Sequence, residues 1–458
     1  MKKIPIEKNK EYIVDIIDNG FEGEGIAKID NFTIFIPGAL KGEKIKILIV
    51  KVLSSHAFGK IIEIIKKSEH RIDADCATYK RCGGCNLRHV DYEETLNIKQ
   101  KAVQSLVNKT LKNPLKVEQT VAMGNPYHYR NKLQFPIGVD KQGKPVIGVF
   151  ANRTHEIIPI EECMIQDIKA TQIAKYVIDI IDEYKLSIYD EKTGLGLMRH
   201  VIVKTAKATN DYMVILVING DELPYAKEIA LKIQGACHSI SSVIVNINKK
   251  KTNVILGEKN ITVLGKNYIT DKLGDYYFKI SPLSFYQVNP VQAEAMYNYA
   301  IEAAEISKND IVFDLYCGIG TISIFMAKSA KEVYGVEIVE QAIEMAKENA
   351  ELNEIKNTHF IAGDTEKVLT DLIKNKNVIP DIVIVDPPRK GLDDTTINNI
   401  LDIGPRRLVY ISCNPASLVR DLARLEERYV VNVVQPFDMF PFTSHVECVT
   451  VLYAKETL

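Results

Sequence analysis

The feature that most limits the possible folds is a series of short, almost wholly apolar runs in the last third of the chain. They lie at residues 311–315, 333–336, 382–385 and 408–411, and segments with helical spacing separate them. Their apolar residues do not alternate with polar ones, which indicates strands of a parallel sheet that is buried on both faces. The alternation of such strands with helices predicts a doubly wound α/β domain over residues 286–458.

Polar residues follow these strands at the edge where an open α/β sheet binds its ligand. The first strand leads into a loop with Gly318 and Gly320, where the missing side chains let a ligand approach the backbone closely. Glu337 ends the second strand, where a carboxylate can accept hydrogen bonds from both hydroxyls of a ribose. Asp364 follows another predicted strand, which ends in Phe360-Ile361-Ala362-Gly363, in a position that suits an adenine amino group, and Asp386 follows the run 382–385. The ordered set predicts a single crevice that binds one ligand.

Two reactive side chains follow in the same domain. Cys413 lies just beyond the apolar run 408–411, on the crevice side, and a thiolate is a good nucleophile where its surroundings lower its pKa. Glu447 begins the final predicted strand, and beside a nucleophilic cysteine it is a candidate general base. The pair predicts covalent catalysis in the crevice.

Three cysteines lie close together in the pattern Cys76-x5-Cys82-x2-Cys85, and Cys163 is the nearest later candidate for a fourth ligand. Four thiolates suit either zinc or an iron–sulfur cluster, and the spacing alone does not choose between them. The first residues lack the apolar stretch of a secretion signal, so we expect a cytoplasmic protein with reduced thiols rather than disulfides. There is no apolar run of about 18 residues, so we expect no membrane span.

The remaining chain predicts two further domains. Short strands at a spacing of about 8–12 residues, separated by glycine-rich turns, predict a small β-barrel over residues 1–66. It is either a generic accessory domain or an oligonucleotide-binding barrel, and the motifs further along the chain favour the latter. Residues 67–285 predict a central α+β domain, whose helix near 92–108 is a candidate to pack on the C-terminal domain. Residues 1–280 carry 42 Lys and Arg against 33 Asp and Glu, whereas residues 281–458 carry 16 against 26. This asymmetry indicates that the basic part meets a polyanion.

In their order, the motifs resemble those of the TRAM-domain, iron–sulfur RNA (uracil-5-)-methyltransferases, best represented by bacterial 23S rRNA 5-methyluridine synthases. The resemblance covers nearly the whole chain. Arg389 stands where amino-group methyltransferases of related fold typically carry an aromatic residue, which argues against an amine target. Besides the cysteine pattern, the resemblance rests on Tyr129-Arg130-Asn131-Lys132, Phe285-Tyr286-Gln287-Val288-Asn289, Asp314-Leu315-Tyr316-Cys317-Gly318, Asp386-Pro387-Pro388-Arg389-Lys390-Gly391, Ser412-Cys413-Asn414-Pro415 and His445-Val446-Glu447.

The resemblance implies a function and a role for each of these residues. Cys413 is the nucleophile that adds to C6 of a uracil, and Glu447 is the base that removes the C5 proton. The barrel is a TRAM domain that binds RNA. The expected protein is a monomeric enzyme that methylates C5 of a uridine flipped out of a single-stranded loop of 23S rRNA. The cofactors implied are S-adenosyl-L-methionine, held by Gln287, Tyr316, Glu337, Asp364 and Asp386, and a [4Fe-4S] cluster, held by Cys76, Cys82, Cys85 and Cys163.

Three other functions are alternatives to this one. A tRNA uridine-C5 methyltransferase is the first alternative, although tRNA members of the family usually lack both the barrel and the cysteine cluster. A radical or redox iron–sulfur enzyme would leave Cys413 and Glu447 without a role, and the C-x3-C-x2-C spacing typical of that class is absent. The same two residues count against a non-catalytic RNA-binding assembly protein.

Candidates to hold the RNA loop are Tyr127, Tyr129, Arg130 and Phe135.

Overall fold

The computed structural model describes residues 4–152 and 154–457. In this part of the chain the strands form one six-stranded sheet, two seven-stranded sheets and a separate two-stranded hairpin. None of the helices within these ranges combines the length and the apolar character that crossing a membrane requires.

The N-terminal strands form a sheet that closes into a barrel. Its order is β1-β5-β6-β4-β3-β2, and only the β4–β6 pair is parallel. The strands at the two ends of this order follow each other directly in sequence. Just after β1, Ile16 N–H donates to the carbonyl of Glu43 beside β5 (2.8 Å), and Ile17 N–H donates to the carbonyl of Ile26 in β3 (2.9 Å), so this stretch joins both ends of the sheet. The predicted N-terminal barrel is therefore confirmed. Its strands are Glu11–Asp15 (β1), Asp18–Asn19 (β2), Gly25–Ile29 (β3), Phe32–Ile36 (β4), Lys44–Val52 (β5) and His56–Lys66 (β6).

An irregular segment with three of the cysteines leads from the barrel to the helix Tyr92–Thr110 (α1). Asp91 caps this helix by accepting a hydrogen bond from Glu94 N–H at 2.9 Å. Val103 and Val107, on one face of α1, are fully buried in the same apolar core as residues 418 and 422 of the C-terminal domain. The helix thus packs on the C-terminal domain, although its place in the sequence assigns it to residues 67–285.

The central domain is a mixed seven-stranded sheet with two helices on one face. The strand order is β13-β12-β11-β10-β7-β8-β9, and a separate hairpin, β14–β15, follows it. The elements are Lys132–Val139 (β7), Pro145–Phe150 (β8), Ile157–Pro159 (β9), Ile168–Glu183 (α2), Met198–Ala206 (β10), Asp211–Ile218 (β11), Ala226–Ala236 (α3), Ile240–Ile247 (β12), Lys259–Gly265 (β13), Ile269–Leu273 (β14) and Tyr276–Ile280 (β15).

The C-terminal domain is the predicted doubly wound α/β fold. Five parallel strands lie in the order β18-β17-β16-β19-β20, and β22 and β21 extend the sheet with antiparallel pairs. The four apolar runs form β16, β17, β19 and β20. The elements are Pro290–Ala303 (α4), Ile311–Leu315 (β16), Thr321–Ala327 (α5), Glu332–Glu337 (β17), Glu340–Leu352 (α6), Thr358–Ala362 (β18), Thr365–Thr370 (α7), a π-helical turn Asp371–Asn375, Ile382–Val385 (β19), Asp394–Ile403 (α8), Arg407–Ser412 (β20), Pro415–Leu425 (α9), Tyr429–Phe437 (β21), Glu447–Ala454 (β22) and a 3₁₀ turn Lys455–Thr457.

Candidate active site

The loop after β16 forms the base of the crevice. Asp314, within β16, is fully buried, and its Oδ2 accepts a hydrogen bond from Ser323 Oγ at 2.5 Å. Tyr316 has a φ of +73°, a conformation that is costly for a bulky residue and that concentrates at functional sites. Gly320 has a φ of +81°, and a Cβ there would lie 2.9 Å from the Phe360 ring. Glycine is therefore the residue that allows this turn to pass so close to its neighbours.

Three of the five predicted cofactor residues lie side by side at the ends of β16, β17 and β18. Tyr316 follows β16, and its N–H is bonded to β17 (2.9 Å) directly before Glu337. Gly363 N–H donates to the carbonyl of Glu337 (2.9 Å), which brings the exposed Asp364 next to it. The Glu337 carboxylate accepts a hydrogen bond from Gly318 N–H at 3.3 Å. Since a carboxylate has about four acceptor positions, Glu337 can also accept from a bound ligand.

Asp386, Cys413 and Glu447 form a second group. Strand pairing brings the last two together, because Ser412 at the end of β20 lies opposite Cys448 in β22. Burial raises the pKa of the Glu447 carboxyl to about 8, and the charge of Asp386 adds to this rise. Burial also raises the pKa of the Cys413 thiol to about 11, with Glu447 and Asp386 contributing. At neutral pH the Cys413 thiol and most of the Glu447 carboxyl are therefore protonated, and a reaction that uses them must move these protons.

Two further residues interact electrostatically with this group. Arg389 is exposed, and its guanidinium opposes the rise in the pKa of both Cys413 and Glu447. Tyr297, on α4, is buried, and its pKa is raised by burial first and by Asp386 next. Sequence reasoning missed Tyr297, since a tyrosine on the apolar side of a helix gives no signal that distinguishes it from an ordinary core residue.

Gln287 comes from a separate segment that joins the central and C-terminal domains. It is mostly buried, and its carbonyl accepts a hydrogen bond from Asn131 Nδ2 at 2.9 Å. Asn289, two residues later, donates from Nδ2 to the carbonyl of Met439 (3.1 Å), in the loop that precedes Glu447. Among the described residues no hydrogen bond joins the Gln287 side chain to the other predicted cofactor residues.

The four predicted cluster cysteines line one cavity of about 80 Å³. Gly84 N–H donates to Cys82 Sγ at 3.2 Å, so the two-glycine loop folds back on its own thiol. Burial raises the pKa of Cys85 to about 12, with Cys163 as the next cause. Within residues 4–152 and 154–457, however, no three His, Cys, Asp or Glu side chains are placed to hold a metal ion.

The loop between β21 and β22, residues 438–446, leads directly to Glu447 and is held by a buried ion pair that the sequence did not reveal. Lys99, on α1, donates from Nζ to Asp438 Oδ1, and both side chains are completely buried. Lys99 Nζ also donates to the carbonyl of Phe440 (3.1 Å), and Tyr92 OH donates to Asp438 Oδ2 at 2.6 Å. Helix α1 thus fixes the start of this loop.

The segment after the cysteines holds the other end of the same loop. Asn86 Nδ2 donates to Ser444 Oγ (2.9 Å) and to the carbonyl of Glu22 in the barrel (2.7 Å). Ser444 N–H donates back to Asn86 Oδ1 at 2.8 Å. The Arg88 guanidinium lies 4.2 Å above the centre of the Phe442 ring. The barrel, the cysteine segment and the loop before Glu447 therefore meet at Asn86.

Two of the candidates for holding RNA are wrong. Tyr129 and Phe135 are only 1% and 2% exposed, so their rings are core residues that cannot stack on a base. Tyr127 is half-buried, with the Arg88 guanidinium 5.1 Å from its ring centre.

Comparison with known proteins decides the family. A family model described as "tRNA (Uracil-5-)-methyltransferase" matches residues 91–455, and a TRAM domain model matches residues 5–62. The chain belongs to the tRNA (uracil-5-)-methyltransferase family. It is an S-adenosylmethionine-dependent RNA methyltransferase with an N-terminal TRAM domain, and the sequence-based prediction of this enzyme class is confirmed.

Relatives span the whole chain. A protein of Clostridium tetani is 45% identical over 98% of both chains, and one of Staphylococcus aureus is 44% identical over 98% of this chain and 99% of its own. Both are called uncharacterized RNA methyltransferases. Among solved structures, the Pyrococcus abyssi tRNA (uracil-54, C5)-methyltransferase in complex with S-adenosyl-L-homocysteine is 26% identical, with a TM-score of 0.76, over 96% of this chain and 99% of that one.

The archaeal structure corrects one step of the sequence argument. Its alignment omits only 4% of this chain, far less than the barrel, so a tRNA enzyme of this family can have a counterpart of that domain. The presence of the barrel therefore does not exclude a tRNA substrate.

Proposed function

We propose that this enzyme transfers a methyl group from S-adenosyl-L-methionine to C5 of a uridine in 23S rRNA. The observation that carries the proposed chemistry is the juxtaposition of the Cys413 thiol and the buried Glu447 carboxyl at the carboxyl edge of the sheet, and the choice of 23S rRNA follows from the sequence resemblance. C5 of uracil is a weak nucleophile, and these two groups are the ones needed to activate it and to restore the ring afterwards.

Cys413 and Glu447 divide the proposed reaction between them. The Cys413 thiol gives its proton to solvent, and the thiolate adds to C6 of the uracil, which makes an enolate with high electron density at C5. Once C5 carries the methyl group, it still bears one proton. The Glu447 carboxylate removes that proton, the C6–S bond breaks, and the thiolate of Cys413 leaves. The raised pKa of Glu447, about 8, suits a group that takes up this proton near neutral pH.

The proposed donor site combines residues from the two groups at the strand ends with Gln287 from the separate linking segment. Gln287, Tyr316, Glu337, Asp364 and Asp386 would hold S-adenosyl-L-methionine, with Asp364 near the adenine and Glu337 on the ribose. The bound donor supplies an electrophilic methyl group and a positively charged sulfonium. Burial and Asp314 raise the pKa of Asp386 to about 7, so a nearby cation would favour the ionised form of this carboxyl.

We also propose that Cys76, Cys82, Cys85 and Cys163 hold a [4Fe-4S] cluster. The fit rests on the shared cavity of these four thiols, because a cluster holds its thiolates farther apart than one ion does. A bound cluster would supply a cross-link between the segment 76–85 and the strand-rich central domain. The proposed units are then a TRAM barrel (1–66), a central RNA-binding domain with the cluster (67–285) and a catalytic domain (286–458).

The barrel surface supports RNA binding. Phe35, His56 and Phe58 lie together on its outer face, with ring centres 5.3–6.0 Å apart, and each is only half-buried. Barrels of this type bind single strands by stacking bases on such rings, next to cationic side chains. Three exposed lysines beside the rings, none of them ion-paired within the described part of the chain, are Lys28, Lys51 and Lys60.

A tRNA uridine is the second candidate substrate, because the archaeal tRNA enzyme matches this chain over nearly its full length. The deciding experiment maps 5-methyluridine by mass spectrometry in 23S rRNA and in tRNA from a deletion strain. We expect one or two rRNA sites to be lost and to return with the wild-type gene, but not with Cys413→Ala. Loss confined to tRNA would support the second candidate. Unchanged 5-methyluridine in both RNAs would refute the proposed function.

A further inference from the structure

A small cationic cavity lies beside the segment that contains Gln287. It has a volume of about 60 Å³, enough to admit the oxygens of one phosphate. None of its lining residues is an Asp or a Glu. The charged residues in the lining are Lys132 and Lys204, and the exposed Phe285 also belongs to it.

The two lysines face each other across neighbouring strands. Lys132 in β7 and Lys204 in β10 are directly paired in the antiparallel register, so their side chains lie on the same face of the sheet. Like charges in such a pair destabilise a sheet. Burial lowers the pKa of both lysines, with Arg130 adding to the effect on Lys132 and Lys132 adding to the effect on Lys204.

The protein itself does not neutralise this pair. Lys204 is only 5% exposed, and its Nζ donates to the carbonyls of Ser281 (2.8 Å) and Ser284 (3.0 Å), which are neutral acceptors. Lys132 Nζ has no hydrogen-bond or ion-pair partner among the described residues. A bound anion would supply the missing negative charge and an acceptor for Lys132.

The cavity also lies close to the candidate active site. Asn131, which precedes Lys132, donates to the carbonyl of Gln287 at 2.9 Å, and its own N–H donates to the carbonyl of Val288 at 2.9 Å. We propose that Lys132 and Lys204 form a subsite for one phosphodiester of the RNA, next to the nucleotide that enters the crevice. The proposal rests on the proposed function for the identity of the anion, since RNA is the polyanion that this enzyme would bind.

The test is a binding measurement that requires no turnover. A fluorescently labelled oligouridylate is titrated with the full-length protein over a series of KCl concentrations, and the logarithm of affinity is plotted against that of salt. For Lys132→Gln we expect several-fold weaker binding and a slope reduced by about 0.7, the value for one lost phosphate contact on a single strand. Lys132→Arg, which keeps the charge, should retain the wild-type slope. Lys132→Met serves as the neutral variant if Lys132→Gln does not fold.

Lys227→Gln is the matched control, because this exposed lysine lies on α3, whose buried residues pack with Val203 on the opposite face of the sheet. Its affinity and slope should equal those of the wild type. Equal values for Lys132→Gln would overturn the proposal. The proposal would also be overturned if inorganic phosphate stabilised the wild type but not Lys132→Gln while both proteins bound RNA with equal affinity. The cavity would then be a site for a free anion. Methyl transfer is measured separately. If the wild-type protein binds RNA in a Lys132-dependent way but does not methylate uridine, the proposed function is refuted and this subsite stands.

Discussion

Replacing Lys99 by methionine tests whether the buried ion pair holds the loop before Glu447. Methionine keeps most of the volume and the apolar stem but removes the charge. Asp438 would then keep Tyr92 OH, at 2.6 Å, as its remaining side-chain partner while staying completely buried. Removing one partner of a buried pair costs about 3–5 kcal/mol, because the other charge is left without compensation.

This cost is a large fraction of the ~5–15 kcal/mol that stabilises a typical domain. For a cooperative unit of about 150–250 residues it lowers the melting temperature by roughly 6–20 °C. The double variant Lys99→Met/Asp438→Asn should recover most of the loss, since no buried charge is then unpaired. Both are measured by thermal unfolding followed by circular dichroism.

Lys101→Met is the control on the same helix, because the Lys101 side chain is half exposed and its Nζ lies as far as 3.6 Å from Glu94 Oε1. We expect its effect to stay within about 0.5 kcal/mol. If Lys99→Met is as mild as Lys101→Met, or if the double variant is no more stable than Lys99→Met alone, then the pair does not hold the loop and the reasoning fails.

Four other predictions concern the proposed chemistry and cofactors. Cys413→Ala should abolish methylation while S-adenosyl-L-methionine still binds in calorimetry; turnover within about tenfold of wild type, a barrier change of only ~1.4 kcal/mol, would contradict the nucleophile role. Glu447→Gln should accumulate a covalent protein–RNA adduct on denaturing gels. Since the base and the thiolate must both be ionised, the wild-type rate should rise with pH through about 8, the raised pKa of Glu447, and toward the higher pKa of the Cys413 thiol, and a flat profile would count against these roles. Anaerobic purification should give a brown protein with about four irons, and one equivalent of zinc without iron would refute the cluster.

The strands of the catalytic domain could be predicted because each carries its own signal. The runs that became β16, β17, β19 and β20 are apolar without alternation, and this pattern depends only on burial of both faces of a sheet. Cys413 and Glu447 could be predicted for a related reason: strand ends at one edge of such a sheet have to converge. The packing of α1 on the C-terminal domain is only a candidate from the sequence, since Val103 and Val107 show that one face of the helix is buried but not which domain buries it, and the structure shows that the C-terminal domain does.

The supporting contacts also escaped prediction. Lys99 and Asp438 are 339 positions apart in the sequence, and each on its own would be taken for an ordinary surface residue. Asn86 and Ser444 are 358 positions apart and are equally unremarkable in sequence. The cationic cavity depends on the register that sets Lys132 opposite Lys204, and register is a property of strand pairing rather than of either strand.

The sequence by itself determined the fold class, the enzyme family and the residues at the strand ends, because local hydrophobic pattern and motif order suffice for these. Only the tertiary structure decided how the reactive groups interact and what holds them. Burial and neighbouring charges raise the pKa of Glu447 and Cys413, and both depend on the residues that surround a site in space. Long-range ion pairs and strand register belong to the folded chain as a whole, so no local stretch of sequence contains them.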